Sequence, residues 1–217
     1  MIYLITGATN AGKDKIAEYM IKEFDMVPIV STTSRPMRPK ETEGKEYHFL
    51  TDKEFLKRVE NGEFIEYRHY DTIVKGNPER WYYGVEKKYI PNLDNDYVGV
   101  IDYHGASEFF KFFGTELVTM FYVKTTYTER FVRNSLRGDY DEQEWIRRNK
   151  EDAKWLNKAL LEADVIINNS GWDIPDSPIE PILEVDHGES NEMETFEDTK
   201  KQIRSIVNHI RDCVNHG

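Results

Sequence analysis

A phosphate-binding loop is the first site that the sequence predicts. The stretch GATNAGKDK, residues 7–15, follows a short apolar run and has the spacing G-x-x-x-x-G-K. In such loops, backbone N–H groups and the start of a helix converge on phosphate oxygens, and glycines let the backbone come close to them. Gly7 and Gly12 meet that need, and Lys13 can reach the β- and γ-phosphates. The pattern therefore predicts a nucleotide site near the start of the chain.

One residue of the loop departs from the usual pattern. Asp14 stands where a Ser or Thr hydroxyl normally contacts Mg²⁺. A carboxylate is a harder oxygen ligand than a hydroxyl, but it also places a negative charge close to the phosphates. We therefore expect Asp14 to be the metal ligand of a strongly Mg²⁺-dependent site, directly or through water. At this position the loop resembles those of some phage deoxynucleotide kinases, which favours a working variant over a relic.

Three later stretches carry further candidate chemistry. They read VSTTSRPMRPKETEGKEYHFL, NGEFIEY and WYYGV. In this order they resemble the guanylate kinase family, which shows two Arg three apart after Ser/Thr, then G-x-x-x-G-x-[DE]-Y-x-F, G-x-F-[IL]-E and Y-G-[ST]. The resemblance runs from the glycine loop to about residue 169. It implies an enzyme that transfers the γ-phosphate of ATP to GMP or dGMP with the help of Mg²⁺.

The resemblance also implies an acceptor site. Two arginines would grip the acceptor phosphate, because a planar guanidinium matches phosphate oxygens with two parallel hydrogen bonds. Two carboxylates would accept from guanine N1–H and from its amino group, which adenine cannot match. The implied acceptor-binding residues are Ser31, Arg35, Arg38, Tyr47, Glu66, Tyr83 and Asp102. Ordinary structural roles stay open for each of them; Asp102, for example, could cap the helix that follows.

On the ATP side, the resemblance implies a lid in the arginine-rich stretch ERFVRNSLRGDYDEQEWIRRN. Phosphoryl transfer depends on positioning and on neutralising charge, so arginines there would act on the transferred group. The implied catalytic residues are Lys13, Arg137 and Arg148, with Arg148 preferred over Arg147. The implied ATP-binding residues are Gly7, Asn10, Ala11, Gly12, Lys13, Asp14 and Asn168. For Arg130 and Arg147, a solvated helix face is an equal alternative.

Two departures leave the acceptor open. Val85 replaces the Ser or Thr of Y-G-[ST], so one hydroxyl contact to the base is missing, and the stretch YDTIVKGNPERW is longer than is usual in the family. A different or modified deoxynucleotide, or a phosphorylated ribose, is the alternative acceptor. A non-catalytic binding module with the same fold is the alternative of another class, although the retained Lys13 favours the enzyme.

The elements that must position these residues alternate between strands and helices. Apolar runs at 2–6, 97–102, 117–123 and 165–168 predict strands, with helical spacing between them. We therefore expect an α/β fold of the P-loop NTPase type, with a three-layer core and a parallel sheet. The predicted core is 1–31 with 86–217, with a lid at about 127–150 and an acidic loop at about 171–198. An inserted α+β lobe at 32–85 would bind the monophosphate.

Composition limits the partners. The 217 residues carry 29 Lys and Arg against 40 Asp and Glu, for a net charge of −11, which argues against a nucleic-acid backbone binder. Cys213 is the one cysteine, so no internal disulfide forms, and no run is long enough to span a membrane. The start MIYLITG is typical of a strand and not of a signal peptide. We expect a cytoplasmic protein with small-molecule nucleotide partners; the oligomeric state is left open.

Overall fold

Each of the four apolar runs forms a strand, as predicted, and helices lie between these strands. The computed structural model describes residues 1–74, 77–136, 141–170 and 196–216. The strands are β1 (Ile2–Gly7), β2 (Val27–Pro28), β3 (Thr32–Thr33), β4 (His48–Phe49), β5 (Phe64–Val74), β6 (Asn77–Glu86), β7 (Tyr97–Val100), β8 (Val118–Lys124) and β9 (Val165–Asn168). The α-helices are α1 (Lys13–Phe24), α2 (Asp52–Glu60), α3 (Tyr103–Phe113), α4 (Tyr127–Ser135), α5 (Glu142–Ala153), α6 (Leu156–Glu162) and α7 (Phe196–His216). The predicted α/β class is confirmed.

The first sheet has five strands in the order β2–β7–β1–β8–β9. β1 pairs with β7, β2 with β7, and β8 with β9, and each of these pairs is parallel. All six residues of β1 are buried, and six of the seven residues of β8 are. Strands buried on both faces are apolar throughout, which explains why the two runs could be recognised without any alternation. The predicted parallel sheet is thereby confirmed.

The second sheet has four strands in the order β4–β3–β6–β5. β5 and β6 form a long antiparallel hairpin whose register runs from Phe64↔Glu86 to Val74↔Asn77. The outer part of both arms, residues 71–74 and 77–80, comes from the stretch that the sequence predicts to be longer than usual.

The chain divides into two compact units. One consists of Met1–Ile5 and Met20–Met120, and the other of Thr6–Tyr19 and Phe121–Gly217. The predicted phosphate loop belongs to the second unit, and all predicted acceptor residues belong to the first. The predicted boundaries at 31 and 86 follow a different division and stay a prediction.

Between residues 127 and 161, the described residues form three helices, α4, α5 and α6. Asp141 caps α5 by accepting from the Glu144 amide at 3.1 Å. α5 ends at Ala153, and Trp155 leaves the helical conformation with φ −131° before α6 begins. This single non-helical residue lies inside a continuous helical sequence pattern, so periodicity could not locate the break.

Some predictions fall outside the described residues. These are the lid residue Arg137 with its glycine, and the acidic loop up to residue 195; the last three residues of that loop begin α7. Among the described helices, none combines the length and the apolar character that a membrane crossing needs.

Candidate active site

The glycine loop connects β1 to α1 and contains three residues with positive φ. Gly7, Asn10 and Gly12 have φ values of 143°, 61° and 91°. A Cβ on Gly7 would lie 2.6 Å from the Val123 carbonyl oxygen, and a Cβ on Gly12 would lie 2.4 Å from Asn169 Nδ2. Both glycines are therefore required by conformation and by space, and the loop backbone can take a shape that other residues would resist.

Lys13 is held by the loop itself. Its Nζ donates to the carbonyl oxygens of Gly7 and Ala8, both at 2.8 Å. The pKa of Lys13 is lowered from 10.5 to about 8, mainly by burial; Asp14 and Asp152 oppose this shift, and the positive charges of Arg148 and Arg130 contribute to it. Burial disfavours the charged ammonium form of Lys13, so a phosphate anion that binds beside it would stabilise this form.

The Ala11 carbonyl oxygen anchors the far end of the loop. It accepts from Asn169 Nδ2 at 2.6 Å, from Thr125 Oγ1 at 3.1 Å and from Arg133 Nη1 at 3.3 Å. Asn169 is fully buried, whereas the predicted ATP-binding residue Asn168 is exposed, its carbonyl accepting from Thr199 at 3.1 Å. The structure thus places Asn169 against the loop, beside the residue that the sequence analysis chose.

Asp152 reaches the loop from α5, and nothing in the sequence pattern identified it. Its Oδ2 accepts from the Thr9 amide at 2.6 Å. Arg130 is buried on the other side of Thr9, donating to the Thr9 carbonyl oxygen at 3.1 Å and to Asn149 Oδ1 at 2.8 Å. A carboxylate on a loop amide occupies a donor of the kind that binds oxyanions. Arg130 therefore braces the loop and is not the solvated helix residue of the alternative interpretation.

Asp14 is exposed at the start of α1 and contributes a negative charge next to Lys13. No group of three or more His, Cys, Asp or Glu side chains suited to a metal is found among the described residues. Mg²⁺ in kinases needs no such protein cage, because one or two carboxylates and the phosphate oxygens suffice. The donor chemistry at Asp14 is therefore compatible with a Mg²⁺ that arrives with the nucleotide.

The two neighbouring lid arginines differ in their partners. Arg147 forms a two-pronged ion pair with Glu144, at 2.7 and 2.8 Å. Arg148 is exposed, and its charge acts on Lys13. This difference supports the preference for Arg148. Arg137, the other predicted lid residue, lies outside the described residues.

Of the two predicted phosphate-binding arginines, Arg35 is buried and Arg38 is exposed. Arg35 donates to both carboxylate oxygens of Glu41, at 2.9 and 2.7 Å, and its guanidinium lies 5.3 Å from the centre of the Tyr47 ring. The ring of Tyr47 is in turn 5.9 Å from that of Tyr83. The structure thus brings together Arg35, Tyr47 and Tyr83, three of the predicted phosphate-binding residues, and pairs Arg35 with the Glu41 carboxylate.

The two predicted base readers, Glu66 and Asp102, are joined by a residue that the sequence analysis missed. Arg68 donates to Glu66 Oε2 at 2.6 Å and forms an ion pair with Asp102 Oδ2 at 2.6 Å. Asp102 also caps α3 by accepting from the Gly105 amide at 2.9 Å. Ser31 lies apart from these contacts, its carbonyl oxygen accepting from the His48 amide at 2.9 Å.

Burial sets the electrostatics of this cluster. Glu66 is 4% exposed, and its burial raises the pKa of the carboxyl group, which the charge of Arg68 opposes. Burial also raises the pKa of Tyr70 to about 12, and the Tyr70 hydroxyl donates to Asp102 at 2.8 Å. Two carboxylates, one guanidinium and one neutral phenol therefore form a single network, in which Glu66 is buried and the other three side chains are partly exposed.

Known proteins resemble the chain over most of its length. The family model for guanylate kinase matches residues 1–184. The chain belongs to the guanylate kinase family. A guanylate kinase of Thermotoga maritima is 35% identical over 172 residues, covering 77% of this chain and 78% of the relative. A guanylate kinase of Caldanaerobacter subterraneus is 31% identical over 209 residues, covering 94% and 95%.

A solved structure agrees at the level of the fold. The crystal structure of a guanylate kinase from Anaplasma phagocytophilum aligns with a TM-score of 0.56 at 24% identity, covering 98% of this chain and 85% of that one. The family and its P-loop NTPase fold, which the order of the motifs predicts, are confirmed.

Proposed function

We propose that the chain is an ATP-dependent guanylate kinase that transfers the γ-phosphate of ATP to GMP or dGMP. The observation that carries this proposal is Lys13, which is retained in a braced phosphate loop and held by two loop carbonyls at 2.8 Å. A binding module needs no such ammonium group. The family match supports the same activity, and neither of the two alternatives is favoured by it.

On the donor side, the loop amides and Lys13 bind the phosphates of ATP, and Arg148 adds a positive charge. Asn169, Thr125 and Arg133 hold the loop in shape through the Ala11 carbonyl oxygen. Asp14 is the proposed ligand of Mg²⁺, which, when bound, shields the phosphate charges. Because the reacting groups are all anionic, positioned positive charge is the main contribution that the protein makes to the rate.

On the acceptor side, Arg35 binds the phosphate of the monophosphate, with Tyr47 and Tyr83 beside it. Glu66 and Asp102 receive hydrogen bonds from the base. No side chain is needed as a general base, since the acceptor phosphate is already an anion at neutral pH. A cytoplasmic location and the absence of nucleic-acid partners stay predictions from the sequence, which makes no prediction of the oligomeric state.

The test is a coupled assay of ADP formation with ATP, Mg²⁺ and each common ribo- and deoxynucleoside monophosphate. We expect turnover with GMP and dGMP and at most slow turnover with AMP, CMP or dTMP. Absence of turnover with every monophosphate would contradict the proposal. Efficient turnover with a pyrimidine nucleotide alone would replace guanine as the acceptor base while retaining the kinase.

A further inference from the structure

A guanidinium group lies between the two carboxylates that are proposed to read the base. Glu66, Arg68 and Tyr70 are alternate residues of β5, so their side chains leave the same face of the strand. Asp102 comes from the residue before α3 and meets this row through Arg68 and Tyr70. Gly105 in the first turn of α3 lies close to this row: a Cβ there would lie 2.5 Å from Ile101 Cγ1 and 3.2 Å from Arg68 Nη1. A side chain at this position would therefore crowd both Ile101 and the guanidinium.

The charge of Arg68 opposes protonation of Glu66. A buried carboxylate with a second negative charge beside it favours the protonated acid unless a positive charge compensates it. Of the described residues, Arg68, Asp102 and Glu108 are the charged groups that act most strongly on Glu66, and Arg68 is the cation of these three. Loss of Arg68 would thus leave Glu66 with burial and two negative neighbours, all of which favour the protonated acid. An acid of this kind accepts poorly from a base N–H.

The hydrogen bonds within this cluster leave one acceptor atom and one donor atom available to a ligand. Asp102 is largely occupied, because Oδ1 accepts from the Gly105 amide and Oδ2 contacts both Tyr70 and Arg68. Glu66 uses Oε2 for Arg68, and Arg68 uses Nη1 and Nε. Within the described ranges, Glu66 Oε1 and Arg68 Nη2 make no further hydrogen bond. One acceptor and one donor from neighbouring side chains therefore remain for a ligand.

These two available atoms match the edge of guanine that carries O6 and N1–H. Guanine presents the keto oxygen O6 beside the ring N1–H, so Arg68 can donate to the first while Glu66 accepts from the second. Val85 offers no hydroxyl for the keto oxygen, and Arg68 supplies the missing donor. The 2-amino group of guanine would depend on Asp102, whose lone pairs are mostly in use.

We propose that Arg68 is a specificity-determining residue of the acceptor site, which makes the site one for 6-oxopurine monophosphates with weak dependence on the 2-amino group. This proposal rests on the proposed function. It concerns the choice of base and leaves phosphate transfer itself to the residues of the loop and lid.

The first test needs no variant. Inosine monophosphate retains O6 and N1–H but lacks the 2-amino group, so wild-type protein is expected to use it with a kcat/KM within about tenfold of that for GMP, the value of one neutral hydrogen bond. AMP, which lacks both the keto oxygen and N1–H, is expected to fall well below both. A preference for GMP over inosine monophosphate of a thousandfold would overturn the proposal.

The second test compares Arg68→Met with Arg80→Met. Arg80 lies on the other arm of the hairpin in an exposed ion pair with Asp71, so it controls for loss of an arginine. We expect Arg68→Met to lower kcat/KM for GMP and for inosine monophosphate equally, by about 10- to 150-fold through KM, because a charge-assisted hydrogen bond is lost. The KM for ATP should not change, and Arg80→Met should stay within about twofold throughout.

Arg68→Lys separates charge from geometry. Lysine keeps the positive charge, so the acid limb of the GMP pH profile should stay where it is in the wild type, whereas in Arg68→Met it should move to higher pH as the pKa of Glu66 rises. Lysine lacks the planar fork, so most of the KM defect should persist. Unchanged or faster GMP turnover by Arg68→Met, with wild type active, would overturn the assignment of Arg68 alone. Wild-type protein inactive with every monophosphate would instead overturn the proposed function.

Discussion

The phosphate loop and the acceptor cluster use positive charge in opposite ways. Lys13 is held by two backbone carbonyls and, among the described residues, has no hydrogen bond to a carboxylate, so its charge is only partly compensated. In the acceptor cluster, Arg35 is paired with Glu41, and Arg68 with Glu66 and Asp102. A loop with an uncompensated positive charge suits a ligand that is a polyanion. A cluster whose charges are already paired suits recognition, because only a ligand with the right donors and acceptors can take part.

The largest effect should come from removing the uncompensated charge of the loop. We expect Lys13→Ala to lower kcat/KM by about 10³-fold, as loss of a group that stabilises transition-state charge does. The melting temperature should not fall, since burial of the ammonium group is unfavourable. Lys15→Ala is the matched control on the same helix; Lys15 lies 4.5 Å from the Phe196 ring and should matter less than about threefold to turnover. Equal losses of kcat/KM in Lys13→Ala and Lys15→Ala would contradict a special role for Lys13.

The lid arginines give the next comparison. Arg148→Ala should lower kcat by about 50-fold, because a charge acting on the phosphate region is lost, whereas Arg147→Ala should change it by less than about threefold, because Arg147 is committed to Glu144. Steady-state kinetics at saturating GMP would measure both. A larger effect at Arg147 would show that the Glu144 ion pair breaks during turnover.

The response to pH should distinguish the two regions. With a Lys13 pKa of about 8, the KM for ATP should rise about eightfold between pH 7.5 and 9 if only the ammonium form binds phosphate. Unfolding would not explain this rise in KM. Between pH 8 and 10.5, Lys13 binds more protons in the unfolded chain than in the folded one. Its contribution to the free energy of unfolding therefore increases with pH across that window. The KM for GMP should show no break near pH 8. A parallel rise of both KM values would contradict the assignment.

The smallest expected effect concerns the ion pair that holds Arg35. Glu41→Gln replaces a competing anion by a neutral amide, so the KM for GMP should fall about threefold, with the KM for ATP unchanged. Glu151→Gln, in an exposed pair with Lys154, is the control. A KM for GMP that rises in Glu41→Gln would mean that Glu41 orients Arg35 for the phosphate and does not compete with it.

Much of the fold could be predicted because its signals are local. The buried strands are mostly apolar, the glycine loop has fixed spacing, and Lys13 lies at its end. The acceptor motifs come in a recognisable order. The family and the parallel sheet could therefore be predicted from patterns within short stretches of sequence.

The parts that escaped prediction depend on long-range contacts. Asp152 meets Thr9 across 143 residues, and Asn169 meets Ala11 across 158. Arg68 left a weak signal, since Glu66, Arg68 and Tyr70 alternate on one strand and had to share a face. Their partner Asp102 could be placed beside them only by the fold.

Asp102 links recognition to the start of a helix. Its Oδ1 caps α3 at the Gly105 amide, while its other oxygen belongs to the Arg68 network. Any base that draws on this carboxylate must therefore alter the protection of the first turn of α3. Amide hydrogen exchange at Gly105 would report occupancy of the acceptor region without a label, a coupled enzyme or a turnover event.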